Sequence, residues 1–175
     1  MTTSENHRSE ASISVDVRRE IALPAEAVWS VLADYRNDPL WRRGVSRMES
    51  SPRGPVTAGM TTAEEIRLAG RGYRNLGVVT EVDPGVRFAW RTTDGAQANG
   101  ARSVEVHSDV SCVVRLELHV RVAGAQRLAS PLLGLMLRRN LTGDLKRLHL
   151  LVMSSAVGNR ASAADEIGGG SSARI

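Results

Sequence analysis

One feature limits what this chain can fold into more than any other. An apolar–polar alternation of period two recurs in six consecutive segments and then gives way to a single helical repeat. Val45–Ser51, Met60–Leu68, Tyr73–Val82, Val86–Thr93, Ala101–Ser108 and Val110–Val122 each read as strands, because successive side chains of a strand point to opposite faces. Most breaks between them carry turn residues: Pro52-Arg53-Gly54-Pro55, Gly70-Arg71-Gly72, Asp83-Pro84-Gly85 and Asp94-Gly95. Strands joined by such short turns pair antiparallel. The last is the longest, with Val110, Cys112, Val114, Leu116, Leu118, Val120 and Val122 on one face. From Leu128 to Ser155 the period changes. Leu133, Leu137, Leu141, Leu145, Leu148 and Val152 form the stripe of an amphipathic helix. Ser130-Pro131 can start its regular part, and Gly143 is its weak point.

Upstream, Ile13–Ile21 alternates as a half-buried strand, with Arg19 the exception on its apolar face. Two short helices follow. Pro24 and Glu26 suit the start of the first, whose apolar positions are Ala27, Val28, Val31 and Leu32. Asn37-Asp38-Pro39 can cap the second, which carries Leu40 and Trp41. The class is therefore α+β: a seven-stranded antiparallel sheet that must bury the stripe of one long helix. A cavity can remain if the sheet curves around that helix. The folded domain is expected over 12–156, between a disordered leader (1–11) and a disordered tail (157–175) rich in Gly, Ser and Ala.

Composition removes several classes of function. Cys112 is the only cysteine, so no disulfide within the chain and no cysteine-based zinc site can form. It reads as a small buried hydrophobe. The four histidines are dispersed, and neither a metal nor a cofactor is expected. No secretory signal is visible, no apolar run is long enough to span a bilayer, and the expected location is cytoplasmic. Aromatic residues make up 3%, too few for a base-stacking platform, and no helix-turn-helix or zinc finger points to nucleic acid. The net charge is +4, and Lys146 is the only lysine. Positive charge gathers in 36–53 (Arg36, Arg42, Arg43, Arg47, Arg53) and in 128–156 (Arg138, Arg139, Lys146, Arg147). These are either solvated faces or a rim. A rim would suit an acidic acyl carrier protein or an anionic membrane.

Three segments carry a resemblance: IALPAEAVWSVLADY with DPLW at 21–41, GVVTEVDPGVRFAW at 77–90, and LLGLMLRRNLTGDLKRLHLLV at 132–152. With the order of elements, they make the chain similar to the START-like helix-grip superfamily. Within it, the chain resembles the bacterial polyketide cyclase/dehydrase and lipid-transport family. The resemblance implies a curved seven-stranded sheet gripping the long C-terminal helix. It also implies a deep, mostly apolar cavity between the two for a hydrophobic small molecule. In the family's enzymes a few polar groups in that cavity orient a reactive chain and move protons.

Strand parity nominates those groups here. Met60, Thr62, Glu64, Ile66 and Leu68 share a face. If it faces the cavity, Glu64 is a carboxylate among apolar neighbours, poised as a general acid/base. A bulge or an edge position would instead leave it in water. Arg102 shares a face with Val104 and Val106. Inward, it could pair with Glu64 or hold a ligand anion; outward, it would sit at a frayed strand start. Phe88, Trp90 and Thr92 form one wall, while His107 and His119 fall outside. On Tyr73–Val82 the apolar count favours Arg74, Leu76, Val78, Thr80 and Val82 as the inward face, with Tyr73 able to reach the mouth. Tyr35 and Trp41 would line the entrance. Leu137 and Leu141 belong to the helix stripe, and Asn140 and Asp144 flank it. Glu64, Arg102 and Tyr73 are thus the catalytic candidates. The expected function is a cyclase or dehydratase acting on a polyketide-like or other hydrophobic intermediate. The alternative is a non-catalytic carrier or sensor of lipids or hydrophobic metabolites, and a third reading is a partner-binding role such as a chaperone cofactor.

Overall fold

The computed structural model describes residues 11–68, 70–122 and 130–168. The leader before position 11, the expected helix start at Leu128 and the last residues from 169 on lie outside the described residues. Seven strands form one antiparallel sheet: β1 (Ala11–Ile21), β2 (Val45–Ser51), β3 (Thr61–Leu68), β4 (Arg71–Asp83), β5 (Arg87–Asp94), β6 (Ala98–Ser108) and β7 (Ser111–Val122). The spatial order is β1-β7-β6-β5-β4-β3-β2, so β2 to β7 are a meander and β1 returns beside the last strand. Two helices, α1 (Ala25–Leu32) and α2 (Asp38–Trp41), flank a 3-10 turn at Tyr35–Asn37. The long helix α3 spans Ser130–Gly168, so helical backbone continues into the stretch assigned above to the tail. Among the described residues no helix is long and apolar enough to cross a membrane.

The alternation of β1 and β7 explains the main core. Ile13, Val15, Val17 and Ile21 join Cys112, Val114, Leu116 and Val122 under α1 and under Leu137, Leu145, Leu148 and Val152 of α3. Gly134 lets α3 approach β1 closely, because a Cβ there would stand 3.3 Å from Ile13 Cγ2. A second cluster, Ala33, Tyr35, Val56, Met60, Val79 and Phe88, fills the sheet beneath the turn between α1 and α2. Trp29 packs against both clusters and meets Phe88 edge-on, with ring centroids 6.0 Å apart.

Two expectations change. Val110 precedes β7 and is exposed, as is Val106 near the end of β6; both apolar rows run past the core. On β4 the inward row is Asn75, Gly77 and Val79, not the row with the larger apolar count. Gly77 lies opposite Thr92, and Val79 opposite Trp90. A register shift between Val79 and Glu81 then inserts one residue, which brings Val82 opposite Phe88 on the same face. A bulge of this kind reverses parity within a strand, so no single face can be read across it.

Candidate functional site

The site begins at the corner between α1 and α2. Asp34 accepts from the Arg36 backbone N–H at 3.0 Å and shapes the turn. Asp38 then opens α2 with its side chain fully buried. Its charge is met from across the fold. Arg102, inward on β6, donates from Nη1 to Asp38 Oδ1 at 2.7 Å and from Nη2 to Oδ2 at 2.6 Å. A third bond runs from Nη1 to the Leu32 carbonyl at 3.3 Å. Three rings enclose the guanidinium: its carbon lies 5.0 Å from the Trp41 centroid, 5.1 Å from Tyr35 and 5.4 Å from Phe88. Ring faces attract a cation and shield it from water.

The network continues outward through Arg42. Its Nη1 donates to Asp38 Oδ2 at 2.9 Å and stands in an ion pair with Glu64 Oε1 at 2.6 Å. Burial opposes the charge on Arg42, but Glu64 and Asp38 outweigh it and hold its pKa above the ordinary arginine value. Asn75 Nδ2 donates to Glu64 Oε2 at 2.9 Å, and Asn75 Oδ1 accepts from the Ala96 N–H at 3.0 Å. The sequence Arg102–Asp38–Arg42–Glu64 is therefore two positive and two negative charges in alternation, pinned at its outer end by an amide.

This network forms one side of a small cavity of about 50 Å³ between the helical corner and β2–β5. Arg42, Glu64, Asn75, Thr62, Thr92 and Arg102 supply its polar lining, and Tyr35, Met48, Leu76 and Trp90 its apolar lining. Gly77 completes the wall; a Cβ there would stand 2.8 Å from Thr62 Oγ1. Such a volume holds a few waters. It is small, and none of its lining comes from α3. That corrects the expectation, for a physical reason: α3 lies over β1, while side chains of the helical corner fill the interior above β3–β5. Burial, with small opposing effects from nearby charges, pushes the Tyr35 hydroxyl up to about 12. Tyr35 thus stays protonated near neutral pH as a donor at the cavity wall.

The structure brings Glu64, Arg102, Tyr35, Thr62, Trp90 and Thr92 to this cavity. It does not bring the other candidates. Met60 and Phe88 are core, and Trp41 is buried against Arg102. Tyr73 is 44% exposed, on β4 opposite Ile66 of β3, and neither lines the cavity. Leu137 and Leu141 pack in the main core, and Asn140 on α3 is half-buried away from the lining. Asp144 fastens α3 to the corner: it accepts from the Arg43 N–H at 2.8 Å and pairs with Arg147, whose Nε donates to the Trp41 carbonyl. Burial raises the Asp144 pKa against those donors. Two pairings also change. Arg102 meets Asp38 rather than Glu64, and Glu64 stands in an ion pair rather than among apolar neighbours alone.

Asp38, Arg42 and Asn75 were missed. Asp38 read as a helix cap, Arg42 as part of a basic rim, and Asn75 as lying on the outer row of its strand. The spacing of Asp38 and Arg42, four residues apart on one helix face, was the one local signal available. The rim itself is thinner than expected. Arg36, Arg42, Arg47 and Arg147 are spent on Asp34, Asp38 with Glu64, Glu49 and Asp144.

A family model described as polyketide cyclase / dehydrase and lipid transport matches residues 12–152. No curated protein matches the chain. Among solved structures, the chain is similar to the Zhui aromatase/cyclase from Streptomyces sp. R1128. That match has 18% identity and a TM-score of 0.71, and covers 82% of this chain and 94% of that one. A START superfamily protein from Mycobacterium smegmatis matches with 16% identity and a TM-score of 0.68, covering 81% and 98%. Norcoclaurine synthase from Thalictrum flavum, in complex with dopamine and hydroxybenzaldehyde, matches with 16% identity and a TM-score of 0.61, covering 83% and 89%. At these identities the likeness is one of fold.

Proposed function

Since the chain belongs to the polyketide cyclase/dehydrase and lipid transport family, we propose that it is a cyclase- or dehydratase-type enzyme acting on a hydrophobic carbonyl intermediate. The observation that supports this is the Glu64–Arg42 ion pair on the cavity wall. A carrier of apolar ligands has no use for a proton acceptor there, and bringing a charged pair out of water carries a desolvation cost. In this reading Glu64 takes a proton from a carbon beside a carbonyl. The oxygen that becomes negative accepts hydrogen bonds from the Tyr35 hydroxyl and from Arg42. Ring closure or loss of hydroxide as water follows when the protonated Glu64 returns its proton to the oxygen that needs it. Arg102 is held by Asp38 and the Leu32 carbonyl, so its role is to position rather than to react. Holding the chain folded supplies much of the rate.

An acidic acyl carrier protein is the partner that suits this reading. Arg43, Arg53, Arg139 and Lys146 have no ion partner among the described residues and remain available to attract one.

The test is Glu64→Gln assayed with poly-β-carbonyl thioesters. Turnover should fall by about 10²–10⁴-fold, while binding of a hydrophobic ligand persists. Unchanged turnover removes Glu64 from the mechanism. A wild-type protein that binds such compounds and returns them unchanged is a carrier.

A further inference from the structure

The Arg42 guanidinium has five N–H donors. Only Nη1 has partners, and they are two carboxylates, Asp38 and Glu64. Nε and Nη2 make no hydrogen bond among the described residues, and the side chain lines the cavity with 21% of its surface exposed. Arg42 is therefore a planar, two-pronged donor used at one corner.

Its two carboxylates are not equivalent. Asp38 is fully buried and takes two further bonds from Arg102. Glu64 is 14% exposed, stands on the cavity wall, and is otherwise held by the single amide of Asn75. Of the two, Glu64 is the one that can leave. The cavity also has no room for a carbon skeleton while Glu64 occupies its wall, so binding and displacement of this side chain are coupled by volume.

We infer that Glu64 is an internal stand-in for a ligand carboxylate, and that the site takes hydrophobic acids whose carboxylate displaces Glu64 from Arg42. The geometry favours a carboxylate because its two oxygens in one plane match the Nη1 position that Glu64 vacates and the unused Nη2 beside it. Trp90, Tyr35, Met48 and Leu76 offer apolar contact to the rest of the molecule. Displacement also leaves the Glu64 carboxylate unpaired beside the bound molecule, free to accept a proton. The inference rests on the reading of this cavity as the substrate site. It adds a carboxylate end group to the hydrophobic molecule held there.

Benzoate and its neutral isostere benzamide are the probes, followed by titration of the tryptophan indole signals in NMR spectra. Glu64→Gln vacates Arg42 without changing side-chain size. It should bind benzoate about tenfold more tightly than wild type, with benzamide affinity unchanged. Asn75→Ala keeps every charge and removes only the amide that holds Glu64; it should move benzoate affinity in the same direction by less. Adding Arg42→Met to Glu64→Gln should erase the gain. Equal or weaker benzoate binding in Glu64→Gln and Asn75→Ala overturns the inference, as does a gain that survives loss of Arg42. These are binding measurements, so they can fail while Glu64→Gln still abolishes turnover. They can equally succeed in a protein that catalyses nothing.

Discussion

Arg102 and Asp38, sixty-four residues apart in the chain, meet as a two-pronged ion pair at 2.7 and 2.6 Å, with both side chains buried. The pair ties the α1–α2 corner to the middle of the sheet. The same Asp38 holds Arg42 and, through it, Glu64. The wall of the cavity is thus organised from Asp38, which is fully buried and lies outside the lining.

Removing one member of a buried pair leaves the other charged and unmatched. Arg102→Met should therefore lower unfolding free energy by about 3–5 kcal/mol in urea denaturation. Adding Asp38→Asn should recover part of that loss. The recovery stays partial because Arg42 then loses one of its two carboxylates. A cost below about 1 kcal/mol for Arg102→Met would show that the pair carries little of the corner's stability.

Tyr35→Phe removes one hydroxyl from the cavity wall and keeps the ring against Phe88 and Arg102. If the hydroxyl donates to a developing oxyanion, turnover should fall by about 10²-fold at saturating substrate. Thermal stability should change little. A loss confined to KM would assign Tyr35 to ground-state binding instead.

Gly100 on β6 lies against the Trp90 ring. A Cβ there would stand 2.2 Å from the Glu117 carbonyl oxygen and 2.9 Å from Trp90 Cζ2. Gly100→Ala should cost about 1–3 kcal/mol and displace Trp90, seen as a change in its fluorescence. Gly72→Ala is the control, because nothing stands within 4 Å of a Cβ at that position. Equal effects from the two would point to backbone entropy rather than to the Trp90 contact.

Acid should weaken the protein through Asp34 and Asp16. Hydrogen bonds from Arg36 and from Arg115 hold these carboxyls below their ordinary values. A depressed folded-state pKa gives stability that is present above the unfolded value, about 3.9, and lost as pH falls through the folded one. Asp34→Asn and Asp16→Asn should therefore be less stable near neutral pH and lose less below about pH 4. Asp144 acts in the opposite sense. Burial raises its pKa, so its stabilising contribution belongs to the protonated form and is lost as pH rises through the raised value. Melting curves of Asp34→Asn between pH 3 and 7 that run parallel to wild type would contradict the assignment.

Much of the sheet was legible because period-two patterning reports burial on one face directly. The strand pairs follow from it, as do the shared faces of Glu64 with Thr62 and of Trp90 with Phe88, while the inward facing of Glu64 and Arg102 stayed open. The facing of β4 was not legible: the bulge after Val79 moves Val82 onto the row of Asn75 and Gly77, and a bulge leaves no mark in an apolar count. The ion-pair chain was hidden for a different reason. Arg102 and Asp38 are distant in sequence, and each has an ordinary local explanation, strand start and helix cap. The cavity lies away from the long helix, which patterning could not tell for want of a packing term. Patterning tells which side chains face inward, not how far they fill the space they face.

The pairing of β1 with β7, from Ala11 opposite Val122 to Ile21 opposite Cys112, bears on how the chain reaches this state. The first strand cannot find its hydrogen-bonding partner until the last strand has been synthesised. Closing so long a loop makes the topology one of high contact order, which folds slowly. During translation β1 must wait with Ile13, Val15 and Val17 exposed, beside α1 and the corner that carries Asp38. The main core is therefore assembled at the end of synthesis rather than progressively. Mutations that weaken β1 or β7 should show first as aggregation during expression, before they show as a lower melting temperature of the protein that does fold.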